Sequence, residues 1–329
     1  MKTNNFLSVT LLAASLSIFF ACKKDSSQST SSSVSATNIQ TAADDQTMSS
    51  NENDAVSSDA TAALNANVSI AGASYSSASN SGKSVLGMGT LSSLICDATV
   101  TYDTTSTSKT ITIVYNGSNC EGNRTRTGTV IIAVPKGQHW KNAGATVNIK
   151  IDTLIITRVK DGKTITINGT KTITNVSGGL LVDLATSVES ITHTVTDTMS
   201  ITFANGNTRS WMSSKQRVFT YNNGLFVSTT GTGTVGSNTN VAEWGTNRFG
   251  VSFQNLITAP KQIAQSCGFD LISGQDSIIR SDNITSVITY GLDANGAALT
   301  SCPTSGYIYA KLVWSNGNNG KQYTYIFPY

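Results

Sequence analysis

The chain has two histidines, four prolines and five cysteines in 329 residues, and Asp, Glu, Lys and Arg make up only 12% of it. Each scarcity excludes something. Two histidines leave little for general-base chemistry, and no Gly-x-Ser-x-Gly elbow presents a serine nucleophile. No Cys-x-x-Cys spacing supports a zinc module, and no Asp-x-Asp-x-Asp-Gly loop supports calcium. No metal or cofactor is expected, and no catalytic residue is assigned. The acids lie scattered through strands and turns and select no pair of the kind that glycoside hydrolysis needs. No apolar run reaches the roughly 20 residues that cross a bilayer as a helix. Lys and Arg form no stripe, so nucleic acid is not an expected partner.

What is there begins with an address. Met1-Lys2 is a positive start, Phe6 to Phe20 is apolar, and Ala21-Cys22 sets a small residue before a cysteine, which resembles a bacterial lipobox. The expected product loses residues 1–21 and carries acyl chains on Cys22, a palmitate-type anchor in which several chains hold stably where one binds marginally. Lys23-Lys24-Asp25 resembles the charged start of surface-exposed lipoproteins and suggests the outer membrane with the cell surface. Residues 22–66 hold few large apolar side chains and read as a disordered Ser-rich tether, spanning about 35 Å as a flexible coil.

The remainder, residues 67–329, is the expected folded domain, with thirteen Asp or Glu against nineteen Lys or Arg, +6. Thr, Ile, Val, Asn and Gly dominate it, which suits strands and tight turns. The expected fold is all-β: a large twisted antiparallel sheet, as meander, half-barrel or sandwich, with a short helix near its N-terminus, for which Ser84 to Ile95 is compatible. Its four cysteines are even in number in an exported chain, and the preferred pairs are Cys96–Cys120 and Cys267–Cys302, each enclosing a local β segment.

Three hairpins can be written down. Asp161-Gly162 turns Leu154–Lys160 into Lys163–Ile167, placing Leu154 and Ile156 on one face with Ile165 and Ile167. Ile191–Phe203 alternates cleanly, with Ile191, His193, Val195, Asp197, Met199, Ile201 and Phe203 on one face and a threonine-rich row on the other. A two-residue turn at Asn205-Gly206 would put Met212 on the apolar face and Arg209 and Trp211 on the solvated one. The third hairpin closes the chain, aligning Ile308, Ala310, Leu312 and Trp314 with Tyr323, Tyr325 and Phe327. Thr110–Val134 also echoes Ile284–Val313 in its order of strand, glycine, cysteine and strand, which suggests two pseudo-repeats.

The tethered cysteine, the run Gly117, Cys120, Arg124, Arg126, Gly128 and the stretch Gly169–Asn175 resemble a widespread group of β-rich bacterial surface lipoproteins. No activity is assigned to that group, so the resemblance implies an architecture and no chemistry.

His193 and Asp197 are four strand residues apart, about 13 Å, too far to form a dyad. Arg124, Arg126, Arg209, Trp211 and Trp140 are the candidate ligand surface, basic and aromatic. Tyr323, Tyr325, Phe327 and Tyr329 share a face and read as core partners of the preceding strand. The expected function is that of a non-catalytic, membrane-anchored surface lipoprotein that binds a glycan or envelope protein or builds envelope structure. The alternatives are a periplasmic carrier of a lipid or other hydrophobic cargo and a carboxylate-dependent glycan hydrolase.

Overall fold

The structure is a computed structural model that describes residues 35–73, 91, 94–105, 108–303, 307–315 and 321–329. Cys22, the leader expected before it and most of Ser84–Ile95 lie outside those residues. Ala36–Tyr329 forms one compact unit.

Among the described residues, fifteen antiparallel strands make a single sheet. They are β1 (Ala98–Asp103), β2 (Lys109–Ser118), β3 (Arg124–Val134), β4 (Ala145–Arg158), β5 (Thr164–Asn175), β6 (Ile191–Phe203), β7 (Thr208–Tyr221) and β8 (Leu225–Gly231). There follow β9 (Gly233–Val235), β10 (Asn238–Thr246), β11 (Ser252–Ala264), β12 (Asp270–Arg280), β13 (Thr285–Leu292), β14 (Tyr309–Ser315) and β15 (Gln322–Pro328). Successive strands pair as a meander, as the many short turns require, except in the middle. There β8 and β10 share one slot between β7 and β11. β8 pairs with Lys215–Tyr221 of β7 and Lys261–Ala264 of β11, and β10 with Ser210–Ser213 and Ser252–Leu256. The pairs Cys96–Cys120 and Cys267–Cys302 are both formed, with Cα atoms 5.2 and 5.3 Å apart.

The largest departure from expectation precedes residue 67. From Ala36 to Ala66 the expected tether is one 31-residue helix, α1, about 46 Å long at 1.5 Å per residue. The hydrophilic composition of this segment does not decide its state: Asp45, Gln46, Thr47, Met48, Ser49 and Ser50 are consecutive and all buried. Six consecutive positions cover every face of a helix, so the sheet surrounds α1 there. Low hydrophobicity predicts disorder only when no polar partners are supplied, and here the concave face of the sheet supplies them. A short helix, α2 (Val68–Ala71), follows, capped by Asn67, whose side chain accepts from the Ile70 N–H. It docks on the loop before β4 through Trp140 N–H to Ile70 O at 2.9 Å.

The hairpin faces follow the pattern with one exception. Leu154 pairs with Ile167 and Ile156 with Ile165, all four buried as expected, although the loop is longer than two residues. Trp314 pairs with Tyr323, Leu312 with Tyr325 and Ala310 with Phe327. The expected core role holds only for Phe327 and Tyr329, however: on the edge strand β15 Tyr323 is half-buried and Tyr325 exposed. The exception is β6–β7. Phe203 N–H donates to Asn207 O, so three residues rather than two form the turn, and Gly206 takes φ +81°. A three-residue loop of this kind needs a left-handed residue, which glycine allows. The register therefore moves by one and the faces of β7 exchange. Met199 pairs with Trp211 and Ile201 with Arg209, so Trp211 and Arg209 point inward and Met212 outward.

Candidate functional site

The concave face carries charges at positions where alternation alone would place apolar side chains. Lys171 has the parity of Ile165, Ile167 and Ile173; Asp197 has that of Val195 and Ile201; Lys215 and Arg217 have that of Trp211 and Phe219. Each of these cations and anions is buried. A buried charge is tolerable only when paired, and α1 completes most of the pairs. It bears five acids, Asp44, Asp45, Glu52, Asp54 and Asp59, and no Lys or Arg.

At the N-terminal end of α1, Arg158 grips Asp44 with bonds of 2.7 and 3.0 Å, and Lys163 sits 2.5 Å from Asp44 and 2.6 Å from Asp45. Arg248 holds Asp45 in a second fork, at 2.5 and 2.6 Å. In the middle, Lys215 lies 2.8 Å from Asp54 and 2.6 Å from Glu243, while Lys261 lies 2.9 Å from Asp276 and donates to Ser50. Asn255 donates to both Glu243 and Asp276, at 2.9 and 3.0 Å. Gln46 bridges Glu243 and Arg209. Lys171 Nζ contacts Asp197 at 2.6 Å and Asn53 Oδ1 at 2.8 Å. Arg124 pairs with Glu52, also in the middle, at 2.5 Å, and towards the C-terminal end Arg126 pairs with Asp97 at 2.6 Å and Asp59 at 2.8 Å.

These contacts set the proton affinities. Burial would raise the Glu243 carboxyl, but Lys215 and Lys261 beside it hold it down to about 2. Burial lowers Lys171 more than Asp197 raises it, whereas the carboxylates around Lys261 outweigh burial and raise it. Burial pushes the Asp270 carboxyl up to about 6 despite Arg124. His193, enclosed between Trp140 and Phe219 with ring centroids 5.0 and 4.6 Å away, is pushed down to about 3 by burial and by Arg217.

The five residues read as a ligand surface are therefore interior. Arg126, Arg209, Trp211 and Trp140 are buried, and Arg124 is largely so, because all five project onto the concave face and its loop end. Arg209 lies over the rings of Trp211 and Phe253, and Arg124 and Arg126 serve α1. The surface is not assembled; the same residues bind the chain's own interior. Two signals in the sequence point this way: an all-acidic segment before a basic domain, and charged residues on the apolar parity of three neighbouring strands.

Among the described residues several openings border this core, one near each end of the row of ion pairs on α1 among them. One, between α1, the β2–β3 turn and the β11–β12 turn, has a volume of about 80 Å³ and is lined by Asp59, Asp97, Arg124, Arg126 and Asp270. It is far below the roughly 300 Å³ of ordinary ligand pockets, and its carboxylates are already engaged by the two arginines. The other is a cleft of about 480 Å³ at the N-terminal end of α1, lined by Gln40, Thr41, Lys163, Asn205, Arg248 and Tyr325 among others. Its charged groups are neutralised by Asp44 and Asp45. Tyr325 is 37% exposed and its ring stacks on Phe327 at 5.6 Å. No group of three or more His, Cys, Asp or Glu suited to a metal occurs among the described residues, and no described helix is long and apolar enough to cross a membrane. No family model, curated protein or solved structure matches the chain.

Proposed function

We propose that the protein is a lipid-anchored surface lipoprotein with a non-catalytic binding role, held to the outer membrane through Cys22. Its ligand is a neutral glycan taken at the cleft beside the N-terminus of α1. The observation that carries the reading is the filling of the sheet by α1. A carrier of hydrophobic cargo needs an apolar interior with room, whereas this interior is occupied by a polar helix whose charges are matched. Binding is thus directed to the outside and the ends. The cleft at the N-terminal end combines volume in the range of ligand pockets with one exposed aromatic face and a ring of hydroxyl and amide groups. That combination suits a polyhydroxylated ring, whose apolar face stacks on an aromatic side chain.

Glycan-array screening of the full chain in detergent tests this, with Tyr325→Ala as the control. Retention of a neutral oligosaccharide that Tyr325→Ala weakens at least tenfold is the expected result. Absence of binding across the array, or binding indifferent to Tyr325, overturns the ligand assignment. Intact-mass analysis of the membrane-extracted protein tests the anchor separately: acyl chains on an N-terminal Cys22 support it, and an unmodified residue 22 removes it.

A further inference from the structure

Three lysines lie buried on the concave face, and they differ in what they touch. Among the described residues Lys215 and Lys261 pair or hydrogen-bond with carboxylates and a hydroxyl, Asp54 and Glu243 in one case, Asp276 and Ser50 in the other, and Lys261 also lies over the Tyr290 ring. Of the three, Lys171 alone touches a carboxamide. Its Nζ is 2.8 Å from Asn53 Oδ1, in the middle of α1. Asp197 contacts both partners at once, Oδ1 lying 2.6 Å from Lys171 Nζ and Oδ2 accepting from Asn53 Nδ2 at 2.6 Å. Ser213 Oγ fixes the same carboxylate by donating to Oδ2. Lys171, Asn53 and Asp197 are 1%, 2% and 5% exposed. The arrangement places an amine against an amide oxygen, one bond from the amide carbon, with one carboxylate spanning the amine and the amide nitrogen.

From this geometry we infer that Lys171 and Asn53 form an intramolecular isopeptide bond, which fastens α1 covalently to β5 with Asp197 as the proton shuttle. The chemistry balances without any co-reactant. Asp197 Oδ1 takes a proton from the Lys171 ammonium, and the freed amine attacks Asn53 Cγ. A new Nζ–Cγ bond forms, and the Cγ–Nδ2 bond then breaks. The carboxylic acid of Asp197 returns its proton through Oδ2 to the departing Nδ2, which takes a second proton from Nζ and leaves as ammonium. Asp197 ends as the carboxylate it began. Two features favour this site over the other lysines. Burial lowers the proton affinity of Lys171, so the free amine is more accessible there than at Lys261, whose affinity is raised. An amide also expels ammonia, whereas the carboxylates facing Lys215 and Lys261 would have to be protonated before losing water, and Glu243 resists protonation down to about 2. Proximity in a dry, fixed site supplies the effective concentration that an unassisted amine and amide lack in water.

Peptide mapping of the full chain provides the test. Trypsin cleaves after Lys24, Lys83, Lys163 and Arg209, and it does not cleave after an acylated lysine. The cross-link therefore joins the peptide 25–83 to the peptide 164–209, uncut at Lys171 and lighter than the two together by one ammonia. Fragment ions locating the bond between Asn53 and Lys171 are the expected result. Lys171→Arg retains a cation facing Asp197 and should return both segments unlinked, and Asp197→Asn should do the same. The free peptide 164–171 as the dominant species in the wild-type digest overturns the inference. So does an ammonia loss confined to 25–83, which marks a succinimide at Asn53-Asp54 instead. The wild-type measurement decides the question even if a variant fails to fold.

Discussion

Arg126 holds Asp97 through two parallel bonds, Nε to Oδ2 at 2.6 Å and Nη2 to Oδ1 at 2.7 Å, and extends Nη1 to Asp59 of α1 at 2.8 Å. The Asp59 carboxyl in turn accepts from Tyr115 Oη at 2.8 Å, and the guanidinium lies 4.3 Å from the Tyr115 ring centroid. One side chain thus ties β3 to the segment before β1 and to the helix inside the sheet. Removing one partner of a buried pair leaves the other charge uncompensated, at a cost of about 3–5 kcal/mol. Asp97→Asn, which keeps shape and removes charge, leaves Arg126 with Asp59 as its counter-ion and should destabilise the fold by up to an amount of that order. Arg126→Lys should be destabilised as well, since an ammonium cannot make the fork. Asp152, exposed beside Lys150, is the contrast: Asp152→Asn should leave the denaturation midpoint where it was. Equal effects at positions 97 and 152, read by urea unfolding, would refute the assignment.

The sheet was legible because its signals are local. Period-two runs, glycine-bearing turns and an even set of cysteines pointed to the class, the disulfide pairs and the faces of two hairpins. The β6–β7 register was not legible, because Ala204-Asn205-Gly206 allows a two- or a three-residue turn, and one residue of difference turns Arg209 and Trp211 from solvent to core. The interior helix was illegible for a different reason. Asn53, Asp54 and Glu52 carry no apolar pattern, and their burial depends on Lys171, Lys215 and Arg124, which lie 118, 161 and 72 residues away in sequence. Hydropathy reads one segment at a time; complementarity of charge between two segments requires reading both together. The +6 of residues 67–329 and the acid-only run of α1 before them are two halves of one observation.

Acid should act on the fold through His193 first. Its folded value, about 3, lies below the ordinary value of 6.5, so the unfolded chain takes the proton earlier. The stability it contributes is complete above about pH 6.5 and declines by roughly 1.4 kcal/mol per pH unit below that. Asp270 has the opposite sign. Its folded value, raised to about 6 from 3.8, makes the fold bind the proton first, so its contribution is present at low pH and is lost as pH rises through about 6. The two oppose each other between about pH 6 and 4.5, while Glu243 enters only below its ordinary 4.5. His193→Phe fits between Trp140 and Phe219 and removes two ring nitrogens that have no hydrogen-bond partner among the described residues. It should raise the Tm at about pH 5 by more than at about pH 7.5 and leave a Tm that holds or climbs as pH falls from about 6 to 5. The same pH dependence in variant and wild type would show that His193 does not titrate with folding.

Glycine is demanded by the packing at several places, and Gly128 is one of them. Gly128 sits in β3 at φ +133°, opposite an irregularity in β4 where the register skips Thr153, itself at φ +50°. A Cβ on Gly128 would lie 2.8 Å from Leu154 Cα and closer still to Thr153 O, both backbone atoms of the neighbouring strand. Neither can retreat without breaking the ladder, so Gly128→Ala meets steric and conformational strain together. Gly137 separates the two effects, having φ +75° and nothing within 4 Å of the position an added Cβ would take. Gly137→Ala should cost about 1 kcal/mol from backbone strain alone, and Gly128→Ala should cost more than roughly 3 kcal/mol or prevent folding. Thermal unfolding of the two variants side by side measures the difference. If they are equally stable, the close approach of β3 and β4 at this bulge is not a constraint, and the bend that carries β3 around α1 has to be sought in another residue.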